Sequence, residues 1–224
     1  MLLNIMKKLN SSVVYTFDCD GVVLDSNQIK VDAMRESLEV CGFSKKSVQS
    51  CIDFFRKNFG ISRYKHIEHF IDNILDIKSK NKNLISQKLL ANFSKRVSTQ
   101  YLQANFCDGF LEFVKVNKNQ CNIVSGSDQI ELIDVLSKKG IISRFDYVLG
   151  SPTTKIDNLI NLKKHYSNSV VHYYFGDALG DYEAAISAGY LFFGVLGYSL
   201  VSSQLKDKCI TNHCEYARSF KEIL

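Results

Sequence analysis

Short runs of β-branched and aromatic residues alternate along the chain with longer segments of helical periodicity. The first run, at 12–17, stops abruptly at Asp18, which is typical of a buried strand that ends where polar chemistry begins. Similar apolar runs follow at 122–124, 147–149, 170–175 and 191–195. Helical spacing occupies the intervals at 129–139, 155–166 and 182–188. This alternation predicts an α/β fold, in which a Rossmann-like parallel sheet carries helices on both faces.

Residues 27–105 have a different pattern, without a convincing strand. Their apolar residues recur at helical spacing in the sets Ile29-Ala33-Leu38, Ile52-Phe55-Phe59, Ile67-Phe70-Ile74 and Leu89-Phe93-Val97. We therefore predict an all-helical cap domain at 27–105, inserted into a catalytic core formed by 1–26 and 106–224. Function in open parallel sheets gathers at the carboxyl ends of the strands. A cap inserted after the first strand would cover that edge as a lid that excludes water.

The composition narrows the class of protein. A chain of 224 residues that is 46% hydrophobic can bury a core, so disordered and fibrous classes are excluded. The net charge of +5 comes from 28 basic residues interspersed with 23 acidic ones, which suits a small anionic metabolite and predicts no nucleic-acid partner. Seven cysteines without a CxxC pair indicate reduced, structural thiols. Neither a signal peptide nor a membrane span is recognisable, so we expect a cytoplasmic monomer or homodimer without a membrane partner.

Two carboxylates, Asp18 and Asp20, follow the first predicted strand at a spacing of two residues. They would repel each other unless a cation lies between them or they share protons unequally. Mg²⁺ prefers carboxylate oxygens and leaves positions for a substrate phosphate. Asp177 directly follows another apolar run, where an unpaired buried carboxylate would be costly, so we predict that it binds the same cation. A polar turn at the end of a strand is the alternative interpretation of an isolated Asp18–Asp20 pair.

Four segments, in chain order, resemble the signature motifs of the haloacid dehalogenase-like (HAD) hydrolase superfamily. They are Asp18-Cys19-Asp20-Gly21-Val22-Val23-Leu24-Asp25-Ser26, Ser125-Gly126-Ser127, Lys155, and Gly176-Asp177-Ala178-Leu179-Gly180-Asp181. The resemblance spans nearly the whole chain and is with members that carry a helical C1-type cap, similar to phosphoglycolate phosphatase and β-phosphoglucomutase. It implies a magnesium-dependent phosphatase that hydrolyses a small phosphate monoester through an aspartyl-phosphate.

The resemblance also implies roles for the first and last motifs. Asp18 is the expected nucleophile, and Asp20 is the expected acid and base for the leaving group and the attacking water. Mg²⁺ is expected on Asp18, Asp177 and the backbone carbonyl of Asp20. Asp181 is expected to orient a metal-bound water or Lys155, and it is also a candidate to cap a helix that begins near Tyr182.

The phosphate oxygens are the expected partners of the two middle motifs. Ser125 offers a hydroxyl, Gly126 a backbone N–H and Lys155 a cation, which are the groups that phosphoryl transfer requires around the equatorial oxygens. Taken singly, Ser125 also fits a loop or helix-capping serine, and Lys155 a solvated surface lysine.

A basic cluster in the predicted cap surrounds the segment 58–62 and comprises Lys57, Arg63, Lys65 and His66. Arg63 is the preferred substrate residue, because its guanidinium offers a rigid fork of donors to an anionic or hydroxyl-rich group. A solvated face is the alternative interpretation. The segments 60–64 and 125–127 also resemble those of HAD proteins from surface-polysaccharide pathways, which implies a sugar phosphate.

Several functions within and outside the superfamily compete with the phosphatase. Dehalogenases need only the first aspartate, and phosphonatases usually replace the second, so Asp20 argues against both. A phosphosugar mutase keeps both aspartates and differs in protecting the aspartyl-phosphate from water. A non-catalytic module that binds a phosphorylated ligand is the alternative from a different class.

Overall fold

The computed structural model describes residues 13–117 and 120–224. Within these residues, six strands form one sheet with the spatial order β3-β2-β1-β4-β5-β6, and every neighbouring pair is parallel. The strands are β1 Val13–Phe17, β2 Gln120–Asp128, β3 Tyr147–Ser151, β4 Val171–Gly176, β5 Leu191–Val195 and β6 Glu215–Ala217. The predicted Rossmann-like α/β fold is confirmed. Residue 12 of the first predicted strand lies outside the described residues.

Nine α-helices lie in the described part of the chain. They are α1 Asn27–Val40, α2 Lys45–Lys57, α3 Arg63–His69, α4 Lys82–Gln100, α5 Phe110–Val116, α6 Gln129–Lys138, α7 Lys155–Lys163, α8 Leu179–Ser187 and α9 Ser202–Thr211. A π-helical turn, Phe70–Ile74, extends α3. The first four helices come between β1 and β2, as the periodicity of 27–105 predicts, while α5, α9 and β6 were not predicted.

Aromatic side chains form the core beneath the centre of the sheet. Phe17 on β1 is fully buried, and its ring lies 5.0 Å from that of Phe175 on β4 and 5.3 Å from that of Phe110 on α5. Phe113 and Phe220 contact the same cluster from α5 and the final 3₁₀ turn. Because such rings bury large apolar areas, the cluster holds the central strands β1 and β4 in fixed register.

The centre of the sheet is also where the strand order reverses. The chain moves from β1 to β2 on one side, and β4 lies on the other side of β1. The backbone N–H of Asp18 donates to the carbonyl of Phe175 over 2.9 Å, so β1 and β4 remain paired up to their carboxyl ends. Ligands of open α/β folds bind in the crevice at such a reversal. The residues after β1 and β4, Asp18 and Asp177, therefore lie side by side at its mouth.

The helices α1 to α4 leave and rejoin the sheet at one place. The N–H of Asp25 donates to the carbonyl of Asn105 over 2.9 Å, and that of Cys107 donates to Val23 over the same distance. The two connections between the helical segment and the sheet therefore lie side by side. The cap boundaries at 27 and 105 stay a prediction that these paired connections support.

The structure of the described residues bears on two sequence-based expectations, one about the cysteine thiols and one about membrane spans. All seven cysteines lie among them and carry free thiols. None of their helices is both long enough and apolar enough to cross a membrane.

The aromatic cluster generates a stability prediction. Replacing Phe17 by Ala should lower the free energy of unfolding by about 3–5 kcal/mol, because a cavity opens among rings that cannot collapse onto it. Urea denaturation followed by circular dichroism measures the change. Ile130→Ala on α6 is the control, since Ile130 is 80% exposed and its loss should change stability by no more than about 0.5 kcal/mol. Equal losses in both variants would contradict the role of the cluster.

Candidate active site

The predicted core residues meet at the carboxyl edge of the sheet. Asp18 follows β1, Asp177 follows β4, and Ser125 to Ser127 occupy the last residues of β2. Lys155 is the first residue of α7, and Asp181 lies in the first turn of α8. Each of these residues stands where an apolar strand ends or a helix begins, which is why the sequence pattern could locate them.

Three carboxylates form a buried cluster at this edge. One oxygen each from Asp18, Asp177 and Asp181 lie within 4.8 Å of one another, and all three residues are at most 1% exposed. Burial raises the pKa of Asp18 to about 7; neighbouring carboxylates add to this increase, and Lys155 opposes it. Burial and repulsion from Asp181 and Asp18 also raise the pKa of Asp177 well above its usual range. A cation among these oxygens would relieve the repulsion.

One atom of the cluster supports metal binding directly. Asp177 Oδ1 is buried and makes no hydrogen bond to any described residue. The other oxygen, Oδ2, accepts a hydrogen bond of 2.6 Å from Asn27 of α1. Buried carboxylate oxygens without donors are the ligands that Mg²⁺ prefers, so the residues present fit this ion.

Gly21 allows the first motif to fold against this cluster. Its φ of +73° lies in the left-handed region, and a Cβ at this position would overlap the carboxylate of Asp177. Only glycine adopts this conformation at low cost and leaves room for the neighbouring carboxylate. The fold of the first motif therefore explains why glycine stands at position 21.

Lys155 and Asp181 contact each other at this edge, and each also contacts a neighbouring part of the site. Lys155 Nζ lies 3.2 Å from Asp18 Oδ1 and also bonds to Asp181 Oδ1. Although burial alone would lower the pKa of Lys155, the two carboxylates raise it above its ordinary value, so the side chain stays charged. Asp181 Oδ2 accepts the backbone N–H groups of Asp177 and Ala178 at 3.0 and 3.1 Å. These contacts cap α8, which begins at Leu179 and not near Tyr182.

The side chain of Asp20 points away from the acidic cluster and toward the helices above it. Its Oδ2 accepts from Lys30 Nζ over 2.5 Å and from Ser127 Oγ over 2.9 Å, and its Oδ1 accepts from Ser26 Oγ over 2.5 Å. Burial alone would raise the pKa of Asp20, but Lys30 and these hydrogen bonds hold it below the ordinary value. Asp20 is therefore ionised here, and only its backbone carbonyl remains for the predicted metal role.

Lys30 and Asn27 are site residues that sequence reasoning missed. Lys30 is only 5% exposed, and its ammonium also bonds to Ser127 Oγ over 2.5 Å and lies 4.6 Å from the ring centre of Tyr101. A lysine and an asparagine in a helical segment normally indicate a solvated face. Their spacing of three residues at the start of α1, directly after the first motif, was the available signal, since it puts both on one face near the carboxylates.

A small, partly open cavity lies between the core motifs and α2, α3 and α4. Its free volume is about 30 Å³, room for about one water molecule. The residues that line it are Asp18, Asp20, Lys30, Phe55, Phe59, Gly60, Ile61, Arg63, His66, Phe93, Ser125, Gly126 and Ser127. A Cβ on Gly126 would lie 2.6 Å from the carbonyl oxygen of Gly60, so the segment 58–62 lies directly on the second motif. At this volume the cavity has no room for a phosphate ester, so binding of one requires these helices to lie farther from the sheet.

Arg63 lines this cavity, but its guanidinium is engaged by the core. It donates to both carboxylate oxygens of Glu131 on α6, at 2.9 and 2.6 Å, and to Ser94 Oγ at 2.9 Å. It also lies over the ring of Phe93, 4.6 Å from its centre. Its Nε has no hydrogen-bond partner among the described residues. A direct role for Arg63 toward substrate stays a prediction, while its contact with Glu131 connects cap to core.

The remaining members of the basic cluster divide into two groups. Lys57 and Lys65 are exposed. His66 is buried, with its ring centre 4.4 Å from that of Phe55, and burial lowers its pKa to about 3. The cluster is therefore not one charged surface, since it has two solvated lysines, one paired arginine and one neutral histidine.

The chain belongs to the haloacid dehalogenase-like hydrolase family, whose model matches residues 15–195. This match confirms the predicted membership of the HAD hydrolases, and with it the prediction of an enzyme. No sequence among the curated proteins matches the chain.

Solved structures share the fold at low sequence identity. A predicted phosphatase from Clostridium acetobutylicum is 15% identical, with a TM-score of 0.73 over 96% of this chain and 97% of its own. A predicted phosphoglycolate phosphatase from Haemophilus somnus is 15% identical, with a TM-score of 0.70 over 95% and 96%. A haloacid dehalogenase-like hydrolase from Streptococcus pneumoniae is 13% identical, with a TM-score of 0.66 over 92% of each chain. At these identities the likeness establishes the fold.

The contact between Lys30 and Asp20 generates a pH-dependent stability prediction. Lys30→Met removes one partner of a buried ion pair, so the free energy of unfolding at pH 7 should fall by about 3–5 kcal/mol. In the wild type the pKa of Asp20 lies below its unfolded value of 3.8, so the pair stabilises the fold above that pH. In the variant, burial would raise this pKa, and acid would then relieve the penalty by protonating Asp20.

We therefore expect the difference between wild type and variant to shrink as the pH falls from 7 toward about 4. Urea denaturation across this range provides the measurement. Lys46→Met, at an exposed position on α2, is the matched control and should show little loss at any pH. A deficit of constant size would mean that lost packing, and not the Asp20 charge, explains the effect.

Proposed function

We propose that the protein is a magnesium-dependent phosphatase that hydrolyses a small phosphate monoester, a sugar phosphate, through an aspartyl-phosphate on Asp18. The observation that carries the proposal is the placement of Asp18. Its buried carboxylate lies 3.2 Å from the ammonium of Lys155 and lines the same cavity as Asp20 and Ser125. The candidate nucleophile therefore shares a cavity with the acid/base carboxylate and contacts the cation that would neutralise the phosphate.

In the first step an oxygen of Asp18 attacks phosphorus, and the bond from phosphorus to the ester oxygen breaks. The leaving oxygen takes a proton from Asp20 and departs as an alcohol. Lys30 keeps Asp20 ionised in the present structure. A bound phosphate places negative charge beside Asp20, which opposes Lys30 and favours its protonation. The same site therefore alternates between the acid and base forms of Asp20.

In the second step Asp20 takes a proton from a water molecule that attacks the aspartyl-phosphate. Inorganic phosphate leaves and the Asp18 carboxylate is restored. Ser125, the N–H of Gly126 and Lys155 would hold the phosphate oxygens through both steps. Asp18, Asp177 and the backbone carbonyl of Asp20 would hold Mg²⁺, which supplies charge neutralisation at the transferring phosphate. Asp181 would act through Lys155, the residue that it contacts.

The small volume of the cavity supports a small metabolite as substrate. With Gly60 resting on Gly126, the helical segment must open to admit the ester and close again before reaction. A phosphorylated protein chain would prevent that closure. The pathway, surface-polysaccharide precursor metabolism, rests on the resemblance of the segments 60–64 and 125–127. The cytoplasmic location and the monomeric or dimeric state stay predictions.

Replacing the nucleophile tests the covalent mechanism. Asp18→Ala should reduce phosphate release from a panel of phosphorylated sugars by at least about 10³-fold, because no other side chain can form the intermediate. Mass spectrometry of acid-quenched wild-type enzyme should find one phosphoryl group on the peptide that contains Asp18. Asp134→Asn on the surface of α6 is the control and should keep full activity.

Three results would contradict the proposal. Substantial turnover by a folded Asp18→Ala variant would exclude the aspartyl-phosphate. An isomerised sugar phosphate with little free phosphate would identify a mutase. Release of no phosphate from any ester by the wild type with Mg²⁺ would favour a non-catalytic binding module.

The metal assignment has a readout that does not depend on activity. Mg²⁺ should raise the melting temperature of the wild type by several degrees, because it binds the folded state alone. Asp177→Asn should abolish that shift, and it should leave the metal-free protein at least as stable, since it removes a buried like charge. Asp134→Asn should retain the shift. A normal magnesium shift in Asp177→Asn would contradict the proposed ligand set.

A further inference from the structure

We infer that the substrate has an uncharged, hydroxyl-bearing leaving group, so that its phosphate is its only anionic group. This inference rests on the proposed phosphatase function and adds the class of alcohol that the enzyme releases. The inference follows from the charges of the residues that line the cavity, and all of these residues are described.

Both the lysine and the arginine that line the cavity already have a carboxylate partner. Lys30 is paired with Asp20 over 2.5 Å, and each of these side chains is only 6% exposed. Arg63 is paired with Glu131 through two hydrogen bonds, at 4% and 10% exposure. Both pairs are shielded from water. Arg63 therefore presents no free positive charge to a ligand, and the charge that Lys30 gains when Asp20 is protonated is the one that the bound phosphate opposes.

The third basic side chain at the cavity contributes no charge either. His66 is 1% exposed and packs against the ring of Phe55. Burial and the nearby His69 lower its pKa to about 3, so the imidazole is neutral at physiological pH. Its Nδ1 has no hydrogen-bond partner in the described part of the chain, and the same is true of Arg63 Nε.

A carboxylate on the leaving group would therefore be poorly accommodated. It would have to enter without a partner or displace Glu131 or Asp20 from a buried pair, and either event leaves a buried charge uncompensated. A hydroxyl carries no such penalty, because it can donate and accept hydrogen bonds within the cavity. The rings of Phe55, Phe59 and Phe93 provide apolar walls for the carbon skeleton of a small polyol.

In the proposed mechanism the phosphate is bound by Lys155 and the second motif. Lys155 contacts Asp18 and Asp181 and is not among the residues that line the cavity. Its ammonium is therefore assigned to the transferring phosphate and not to a carboxylate on the leaving group. The Haemophilus somnus neighbour is described as a predicted phosphoglycolate phosphatase, yet its 15% identity transfers the fold and no substrate. On charge grounds, phosphoglycolate is a poor substrate for the present chain.

Matched pairs of esters test the inference with wild-type enzyme and Mg²⁺. The first pair is 2-phosphoglycolate and 2-hydroxyethyl phosphate, which differ in a carboxylate against a hydroxymethyl group. The second pair is 6-phosphogluconate and glucitol 6-phosphate, which differ in the same way on a longer chain. We expect kcat/KM to be at least ~10-fold higher for the uncharged member of each pair.

Glu131→Gln tests the physical cause. It frees the Arg63 guanidinium while keeping a similar shape, so it should move the ratio of kcat/KM toward the acid member of each pair by ~10-fold. Asp134→Asn, which removes an exposed carboxylate from the same helix, should leave the ratio unchanged. The melting temperature of each variant shows whether it is folded. If Glu131→Gln is not folded, the inference is judged from the wild-type ratios of kcat/KM alone.

The outcomes separate this inference from the proposed function. If the wild type hydrolyses p-nitrophenyl phosphate through Asp18 but prefers the acid members, the inference is overturned and the phosphatase stands. An unchanged ratio in a folded Glu131→Gln variant would overturn the charge explanation. If no ester is hydrolysed in an Asp18-dependent manner, the proposed function fails and the inference fails with it.

Discussion

Repulsion among buried carboxylates is the constraint on which this structure depends. Asp18, Asp20, Asp177 and Asp181 are all at most 5% exposed at the carboxyl edge of one sheet. Like charges at this density are tolerable only with cations, hydrogen-bond donors or protons to offset them. The chain supplies ammonium groups, an amide and backbone N–H groups, and the unpartnered oxygen of Asp177 is where the proposed Mg²⁺ would complete the neutralisation. Folding and the proposed reaction therefore both depend on neutralising the same buried carboxylates.

Part of that neutralisation comes from the inserted helices, which makes the cap electrostatically part of the site. Asn27 donates to Asp177, and Lys30 donates to Asp20. With Arg63 and Glu131, two buried ion pairs join α1 and α3 to the core. Buried pairs contribute little net stability, because desolvation offsets their attraction, but they favour one geometry. Under the proposed function, opening of the helical segment would return all four ions to water, which would offset part of the cost of breaking the two pairs.

Some strands and site residues could be predicted from the sequence and others could not, for physical reasons. Strands β1, β4 and β5 were predictable because both faces are buried, which produces continuous apolar runs. The strand β6 was not, since its three residues, Glu215–Ala217, include no such run. Asp18 and Asp177 were located because each follows an apolar run. Lys30 and Glu131 look like ordinary solvated charges on helices, and only packing across the cavity brings each to its partner.

The contact between α3 and α6 connects the two proposals. Arg63 donates to both carboxylate oxygens of Glu131, so one pair joins the helices and neutralises a cation that lines the cavity. Under the inferred substrate class, the contact that would hold the helical segment against the sheet is also the one that would disfavour an acidic leaving group. Closure and substrate charge would then be coupled through one ion pair, so a change at Glu131 would alter both.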